Sequence, residues 1–308
     1  MKSDPEVAVV VISHDTKDLL LECLASVFDS ADADHIETVV VDNASTDGSY
    51  DAVCSSYHQV RAIRNEANRG FGAACNQAIT ATVAPFILLL NSDARLTPSA
   101  IEALLHCMRT DDLCGAAGCV VLRPDGATEV NTRNFLTPFN QAFEQAGAAA
   151  RTSSRRLRRS HLPVYDENLT DCTVDWIDGA CLMLRRTALE QTGLFDERFF
   201  MYSEDEDLCF RLKSHGWSVC HSARGSVIHH GGASSAQNRL EMLRHFYVSQ
   251  LRFLLKHRGR VSVLLYGATM KMVLLLKSWW WSLRSRERAR ELNDRLNALR
   301  SAGSRIRQ

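Results

Sequence analysis

The feature that most constrains this chain is an alternation. Over the first 122 residues, short apolar runs take turns with polar-faced segments of helical length. Residues 7–12, 38–41, 60–63, 86–90 and 116–122 read as strands rich in Val, Ile and Leu. Residues 18–28, a stretch near 49–56, and residues 72–80 and 97–109 read as helices. In the first helix Leu19, Leu20, Cys23, Leu24, Val27 and Phe28 fall on one broad face. Thr97 reads as the N-cap of the last, with Pro98 in its first turn. Strands that are apolar throughout, separated by helices, imply a mostly parallel sheet covered on both faces. Ligands of such sheets bind at the carboxyl ends of the strands, so the loops after Ile12, Val41 and Leu90 are where chemistry is expected.

Further on, residues 176–185 read as one apolar strand and 186–192 as a short helix ended by Gly193. Residues 205–215 read as a helix stopped by Gly216, and 218–221 and 227–229 as short strands. Residues 151–159 hold five arginines among Ser and Thr and read as a basic loop. From Ala236 the chain reads as helical to its end, with breaks near Gly259 and Ser301. The expected partition is a domain of residues 1–235, made of halves 1–122 and 123–235, followed by a helical extension of residues 236–308.

Composition narrows the class. Of 308 residues, 45% are hydrophobic and 23% charged, which excludes a mostly disordered chain and a multi-span membrane protein. Lys and Arg number 36 and so do Asp and Glu, yet the balance is local. Residues 1–150 hold 9 basic and 20 acidic residues; residues 251–308 hold 14 and 3. Such polarity points to contact with an anionic surface. Residues 1–12 lack the pattern of a signal peptide. The ten cysteines show no Cys-x-x-Cys pair and no zinc-ligand spacing, and read as reduced, mostly buried small hydrophobes.

The basic tail has its own pattern. Residues 261–276 are strongly apolar but interrupted by Lys271 and followed by Lys277, short of the about 20 apolar residues a span needs. Trp279, Trp280 and Trp281 come next, then Arg284, Arg286, Arg288 and Arg290. Apolar residues, tryptophans, then arginines suit a helix lying in a bilayer interface. A helix packed on the catalytic domain with a solvated basic end is the plain alternative, although three adjacent tryptophans cannot all face one core.

Five segments carry chemistry. Val39-Val40-Val41-Asp42-Asn43-Ala44-Ser45-Thr46-Asp47-Gly48-Ser49 ends a strand in a carboxylate that could accept hydrogen bonds from a base or ribose, or simply cap the next helix. Asn65-Glu66-Ala67-Asn68-Arg69-Gly70-Phe71-Gly72-Ala73-Ala74-Cys75-Asn76 opens a helix that could receive phosphate, but Cys75 stands where a dinucleotide fingerprint has its third glycine. Leu90-Asn91-Ser92-Asp93 delivers an acid to a strand end, where it suits a hard divalent cation shared with substrate phosphates. Asp178-Gly179-Ala180 and the run Glu204-Asp205-Glu206-Asp207 form the fourth. Mutual repulsion there can lift one carboxylate toward the range of a general base, while an acidic helix N-terminus is the plain alternative. Ile228-His229-His230-Gly231-Gly232 suits a metal or phosphate contact, or a structural histidine.

Taken in order, these segments resemble a family 2 glycosyltransferase of the GT-A fold over roughly residues 7–235. The subgroup they resemble is the rhamnosyltransferase-like enzymes of bacterial surface polysaccharides and cell-wall linkers. The resemblance implies an α/β, doubly wound, mostly parallel sheet flanked by helices, with a C-terminal helical, membrane-associating extension. It implies that Ser13, His14 and Asp15 line the base pocket and that Asp42 binds the uracil or thymine ring, with Asn43 and Asp47 supporting that loop. Arg69 and Gly70 would border the nucleotide and Asn91 the ribose. Asp93, the last acid of a DXD-type triplet, would bind Mg²⁺ or Mn²⁺, with His229 as a further contact. The triplet here reads Asn-Ser-Asp, so its first acid is missing. Asp178 and Gly179 would shape the sugar side, Asp205 would be the general base, and Glu204 would assist acceptor placement.

The function implied is inverting, metal-dependent transfer of a sugar, rhamnose among the candidates, from a UDP- or dTDP-sugar. The acceptor would be a lipid-linked molecule or a polysaccharide in cell-envelope glycan synthesis. No Gln-x-x-Arg-Trp motif of processive members occurs. The enzyme would work at the cytoplasmic face of an anionic membrane and would not bind nucleic acid. Two alternatives share the architecture: a sugar nucleotidyltransferase, disfavoured by the lack of glycine in Ile12-Ser13-His14-Asp15, and a non-catalytic nucleotide-binding protein. Oligomeric state has no signature in the sequence.

Overall fold

The computed structural model describes residues 5–30, 36–147, 170–231 and 239–306. The basic run 151–159 and residues 232–234 of the last motif lie outside these. The chain divides into two compact units: Met1–Arg133, Asp166–Phe200 and Glu204–Ser234 form the first, and Asn134–Tyr165, Met201–Ser203 and Ser235–Gln308 the second.

The first unit is built on one twisted sheet. The expected βα alternation is present as β1 (Val7–Ser13), α1 (Lys17–Phe28), β2 (Ile36–Asp42), α2 (Ser49–Ser56), β3 (Arg61–Arg64), α3 (Phe71–Thr80) and β4 (Phe86–Asn91). Then come β5 (Ala94–Leu96), α4 (Ala100–Thr110), β6 (Cys114–Leu122), β7 (Thr128–Glu129) and β8 (Thr132–Arg133). The main path runs β3-β2-β1-β4, all parallel, so the chain reverses its winding direction beside β1. Val9 and Val11 of β1 pack with Leu20 and Leu24 of α1 and with Leu88 and Leu90 of β4. Leu104, Leu105 and Met108 of α4 extend the same core. Burial of this branched aliphatic set at about 25 cal/mol per Å² drives the helices onto the sheet.

Several boundaries differ from the sequence expectation, each for a local reason. The fourth helix begins at Ala100 with Ser99 as N-cap, not at Thr97. The Thr97 hydroxyl and amide instead both donate to Ser226 O, at 2.7 and 3.2 Å, which ends β5. The expected strand 176–185 is two: β10 (Trp176–Ile177), which pairs with β8 in a small separate sheet, and β11 (Cys181–Arg185), antiparallel between β4 and β6. The break at Asp178-Gly179-Ala180 arises because their backbone groups are taken elsewhere. Asp178 N donates to Asn131 O, Gly179 N to the Asp205 carboxylate, and Ala180 O accepts from Asn91 N. Short β9 (Cys172–Thr173) pairs with β12 (Ser218–His229), a single strand where two were expected. Its register slips between Ser222 and Ser226, a bulge that lets it follow β6 and then meet β5. Between lie α6 (Arg186–Thr192) and α7 (Glu204–Ser214).

The second unit contains α5 (Asn140–Gln145), α8 (Arg239–Ser282) and α9 (Arg286–Arg305). Gly259, at φ 79° and ψ 176°, interrupts α8. The chain turns back there: the Tyr266 hydroxyl donates to Gln250 Oε1, although 16 residues of straight helix would hold the two about 24 Å apart. Two arms, 239–258 and 260–282, therefore lie beside each other, burying Tyr247, Leu251, Phe253, Tyr266, Met270 and Leu274. The second expected break, at Ser301, does not occur. α9 continues to Arg305 because Leu292, Leu296, Leu299 and Ala302 keep one buried stripe across that serine. The break falls instead at 283–285, where Ser285 caps α9.

Candidate active site

The loops after β1 and β2 hold each other. Asp15, at φ 52°, accepts from the Thr46 backbone N–H at 2.6 Å through Oδ1, and its own N–H donates to Ser45 Oγ at 3.1 Å. In return, Asp47 accepts from Lys17 N at 2.8 Å and from Ser49 N and Oγ. Hydrogen bonds hold the Asp47 carboxyl below its usual range against the opposing effect of burial. Asp15 and Asp47 are thus committed to shaping the loops. Asp42, at the end of β2, is 1% exposed. Its Oδ1 accepts from Ser45 N, and its Oδ2 has no protein partner. A buried carboxylate oxygen left open is costly unless a ligand donor meets it. Ser13 is buried and bonds Thr16, which bonds Ser92. His14 Nδ1 is likewise buried and unpartnered.

Asn43 is fully used as a clamp. Its amide donates to Asn68 Oδ1 and Gly70 O, and its Oδ1 accepts from Asn65 Nδ2 and Arg69 N. Arg69 is joined to this clamp by its backbone, and its side chain is exposed. Gly70 is required where it stands. At φ +83° an added Cβ would lie 2.3 Å from Phe200 O, the same oxygen that accepts from Phe71 N. The turn before α3 is therefore pressed against the backbone that leads toward α7.

The second cluster sits where β4 and β12 end and β5 begins. His229 pairs in register with Ala94, which brings its ring beside Asp93. Nε2 lies 3.2 Å from Asp93 Oδ1 and 3.4 Å from Asn91 Nδ2. Burial lowers the His229 pKa, but the hydrogen bond and charge of Asp93, aided by Glu129, outweigh it and the net shift is upward. Carboxylate oxygen and imidazole nitrogen are donor types that Mn²⁺ accepts, and Mg²⁺ the oxygen above all. Among the described residues no group of three His, Cys, Asp or Glu side chains could hold a metal unaided. Two protein donors therefore fit a cation that shares its coordination with a diphosphate.

The third cluster is the start of α7, where Glu204, Asp205, Glu206 and Asp207 are all buried, at 0–8% exposure. They are not equivalent. Asp207 binds Arg211 one turn on at 2.9 Å, and Arg211 ties down the carbonyls of Thr192, Gly193 and Leu194. Asp205 accepts from Gly179 N at 2.9 Å and Glu206 N at 2.8 Å. Burial, then the negative charge of Asp178, push its pKa up to about 7 despite those bonds. Burial and Asp205 raise Glu204 as well, and Glu204 Oε2 is buried without a partner. Asp178 is raised by burial against the pull of Arg133 and His229.

The chain as a whole matches a known family. The family model described as "Glycosyl transferase family 2" matches residues 8–193. This chain belongs to that family. Two relatives are rhamnosyltransferases. The chain is 29% identical, over 73% of its length and 76% of the relative's, to N-acetylglucosaminyl-diphospho-decaprenol L-rhamnosyltransferase of Mycobacterium tuberculosis. It is 22% identical to Rhamnosyltransferase WbbL of Escherichia coli, covering 82% of this chain and 94% of that one. The fold is GT-A. The mannosyltransferase PcManGT from Pyrobaculum calidifontis, solved with GDP-Man and Mn²⁺, superposes with a TM-score of 0.58 at 16% identity, over 98% of this chain and 87% of that one.

Two residues of this glycosyltransferase have a role that its motifs do not announce. Glu129, in a two-residue strand, reaches the far side of the His229 ring at 3.4 Å. Asn76 bonds both the N–H and C=O of Phe195 from inside α3. Glu129 belongs to no motif; Asn76 closes the segment 65–76, where a polar residue on the apolar face of α3 was its signal.

Proposed function

We propose that this glycosyltransferase transfers a sugar with inversion from a UDP- or dTDP-sugar, rhamnose being the first candidate, to a hydroxyl of a lipid-linked or polysaccharide acceptor. The observation that carries the reading is Asp205. Its carboxylate is buried and oriented by two backbone N–H groups, with a pKa pushed up to about 7, where a general base works best. In one displacement Asp205 takes the acceptor hydroxyl proton and the acceptor oxygen bonds to the anomeric carbon. The bond from that carbon to the nucleoside diphosphate breaks with its electron pair. Glu204 helps seat the acceptor, and Asp178 and Gly179 border the sugar. Asp42, through its open Oδ2, receives an N–H of the pyrimidine base, inside the frame made by Ser13, His14, Asp15, Asn43, Asp47, Arg69 and Gly70. Asn91 contacts the ribose. Asp93 and His229 would hold Mg²⁺ or Mn²⁺, which when bound neutralises charge on the leaving diphosphate.

The rhamnosyltransferase relatives support rhamnose as donor sugar, and the diphospho-decaprenol in the name of one supports a lipid-linked acceptor. The second unit supports work at the cytoplasmic face of a membrane. Val261, Leu265, Met272, Leu276 and Trp279 are 41–70% exposed and recur every three, four or seven residues, one stripe of the arm 260–282. Arg284 and Arg288 stack on Trp280 and Trp281 at 3.9 and 4.2 Å. α8 is long and apolar enough to span a membrane by length and composition. However, the reversal at Gly259, Lys271 and Lys277 favour an interfacial position on anionic lipid.

The test is a panel of UDP-, dTDP- and GDP-sugars with Mn²⁺ or Mg²⁺ and a prenyl-diphosphate-linked glycan acceptor. Product configuration is read by NMR. An inverted linkage from a UDP- or dTDP-sugar is expected; retention of configuration, or turnover with GDP-sugars alone, overturns the reading.

A further inference from the structure

We infer that Glu129 is a positioning residue that turns His229 into a metal ligand. The inference rests on the proposed Asp93–His229 cation site and concerns how that site is prepared. Three strand ends converge there. Glu129 pairs with Val121 at one edge of β6, while β12 runs along its other edge and carries His229 to its end. The His229 ring is mostly buried and, among the described residues, three polar side chains approach its nitrogens. Glu129 Oε2 lies 3.4 Å from Nδ1, Asp93 Oδ1 lies 3.2 Å from Nε2, and Asn91 Nδ2 lies 3.4 Å from Nε2. The carboxylates thus address opposite nitrogens of one ring.

A neutral imidazole carries one proton. Glu129 can only accept at Nδ1, so a proton placed there is held, and the lone pair is left on Nε2. That lone pair then faces a carboxylate oxygen at 3.2 Å, two acceptors in apposition. Such a pair repels unless something positive stands with it: a second ring proton, or a cation bound by both. Asp93, nearer and more buried, competes for the ring's one proton at Nε2, and Glu129 is the group that offers it a place on Nδ1 instead. A carboxylate on the non-coordinating nitrogen is the general device by which proteins hold a histidine ligand, and its removal costs 10–100-fold in metal affinity. When a cation takes Nε2, Glu129 is placed to hold the remaining ring proton on Nδ1 and fix the ring's orientation, and Asp93 with Nε2 forms the donor pair. This also accounts for an acid placed in a two-residue strand with no other feature of a motif. Its side chain is 42% exposed, so its partner is not forced on it by burial.

The experiment measures Mn²⁺ binding directly, by EPR of free Mn²⁺ titrated with the full chain, with and without UDP or dTDP. Glu129→Ala is expected to weaken Mn²⁺ binding 10–100-fold. Glu129→Gln, whose amide oxygen still accepts from Nδ1–H, should recover most of the loss. Metal-free thermal unfolding of all variants should match the parent. Parent-like Mn²⁺ affinity in Glu129→Ala, or equal weakening in Glu129→Gln and Glu129→Ala, overturns the role of Glu129. Asp93→Ala and His229→Ala separate the two layers. If they lose Mn²⁺ binding while Glu129→Ala keeps it, the cation site stands and Glu129 does not prepare it. If they too bind like the parent, the cation site itself is misplaced and the inference falls with it.

Discussion

Asp93 and Asp205 are both buried carboxylates of one sheet unit, and their surroundings oppose each other. Asp93, in the turn between β4 and β5, faces an imidazole 3.2 Å away whose proton affinity it raises. Asp205 opens α7 with acids on either side, Asp178 nearby, and two backbone N–H groups donating to its carboxylate. One site is arranged to gather positive charge, the other to keep a carboxylate short of it. The same side chain is thereby fitted to hold a cation in one place and to carry a proton in the other.

The largest effect should come from Asp205→Asn. The amide is nearly isosteric and cannot take a proton, so the transfer rate should fall by roughly 10²–10⁴ while donor binding by calorimetry stays unchanged. Turnover near that of the parent would remove Asp205 from the base role and break the contrast. Asp93→Ala should rank next. A loss on the order of 10²-fold in metal-dependent turnover is expected, together with loss of Mn²⁺ binding. If transfer falls but Mn²⁺ binding persists, the two carboxylates are not specialised in the way described.

A smaller effect sharpens the comparison through stability. The Asp205 carboxyl is protonated in the folded chain up to about pH 7, but only up to about pH 4 when unfolded. Its contribution is therefore present at low pH and lost as pH rises from about 4 through about 7, on the order of a few kcal/mol. Asp205→Asn should melt above the parent at pH 8 and lose that advantage at pH 5 and below. Melting curves that stay parallel across this range would mean the carboxylate is not strained by its burial. The last expectation concerns the frame that the two sites share. Gly70→Ala, with φ +83° and backbone oxygen 2.3 Å from the new Cβ, should lower stability by roughly 1–3 kcal/mol, read by urea unfolding.

Much of this was legible in the residues. The Val-rich strands and amphipathic helices needed only their periodicity to announce a parallel sheet. Asp42, Asn43, Asp93 and Asp205 stood out as polar residues at strand or helix ends. What stayed hidden had no local signal. Residues 176–185 look like one strand because all are apolar but for Asp178, Gly179 and the terminal Arg185. The break appears only when Asn131 and Asp205, distant in sequence, claim the amides of Asp178 and Gly179. The sequence likewise marked Gly259 as a break, but that it reverses the chain rests on a bond between Tyr266 and Gln250.

By itself, then, the sequence determined the fold class and the family, because hydrophobic period and motif order are properties of neighbours along the chain. Only the tertiary structure decided which acids are tied up and which are open. It spent Asp15, Asp47 and Asp207 on loop and helix bonds, left Asp42 Oδ2 and Glu204 Oε2 open, and brought Glu129 to His229 across β6. The physical reason is that a carboxylate's role depends on desolvation and on charges within a few ångströms, and those are set by strands and loops far apart in the sequence.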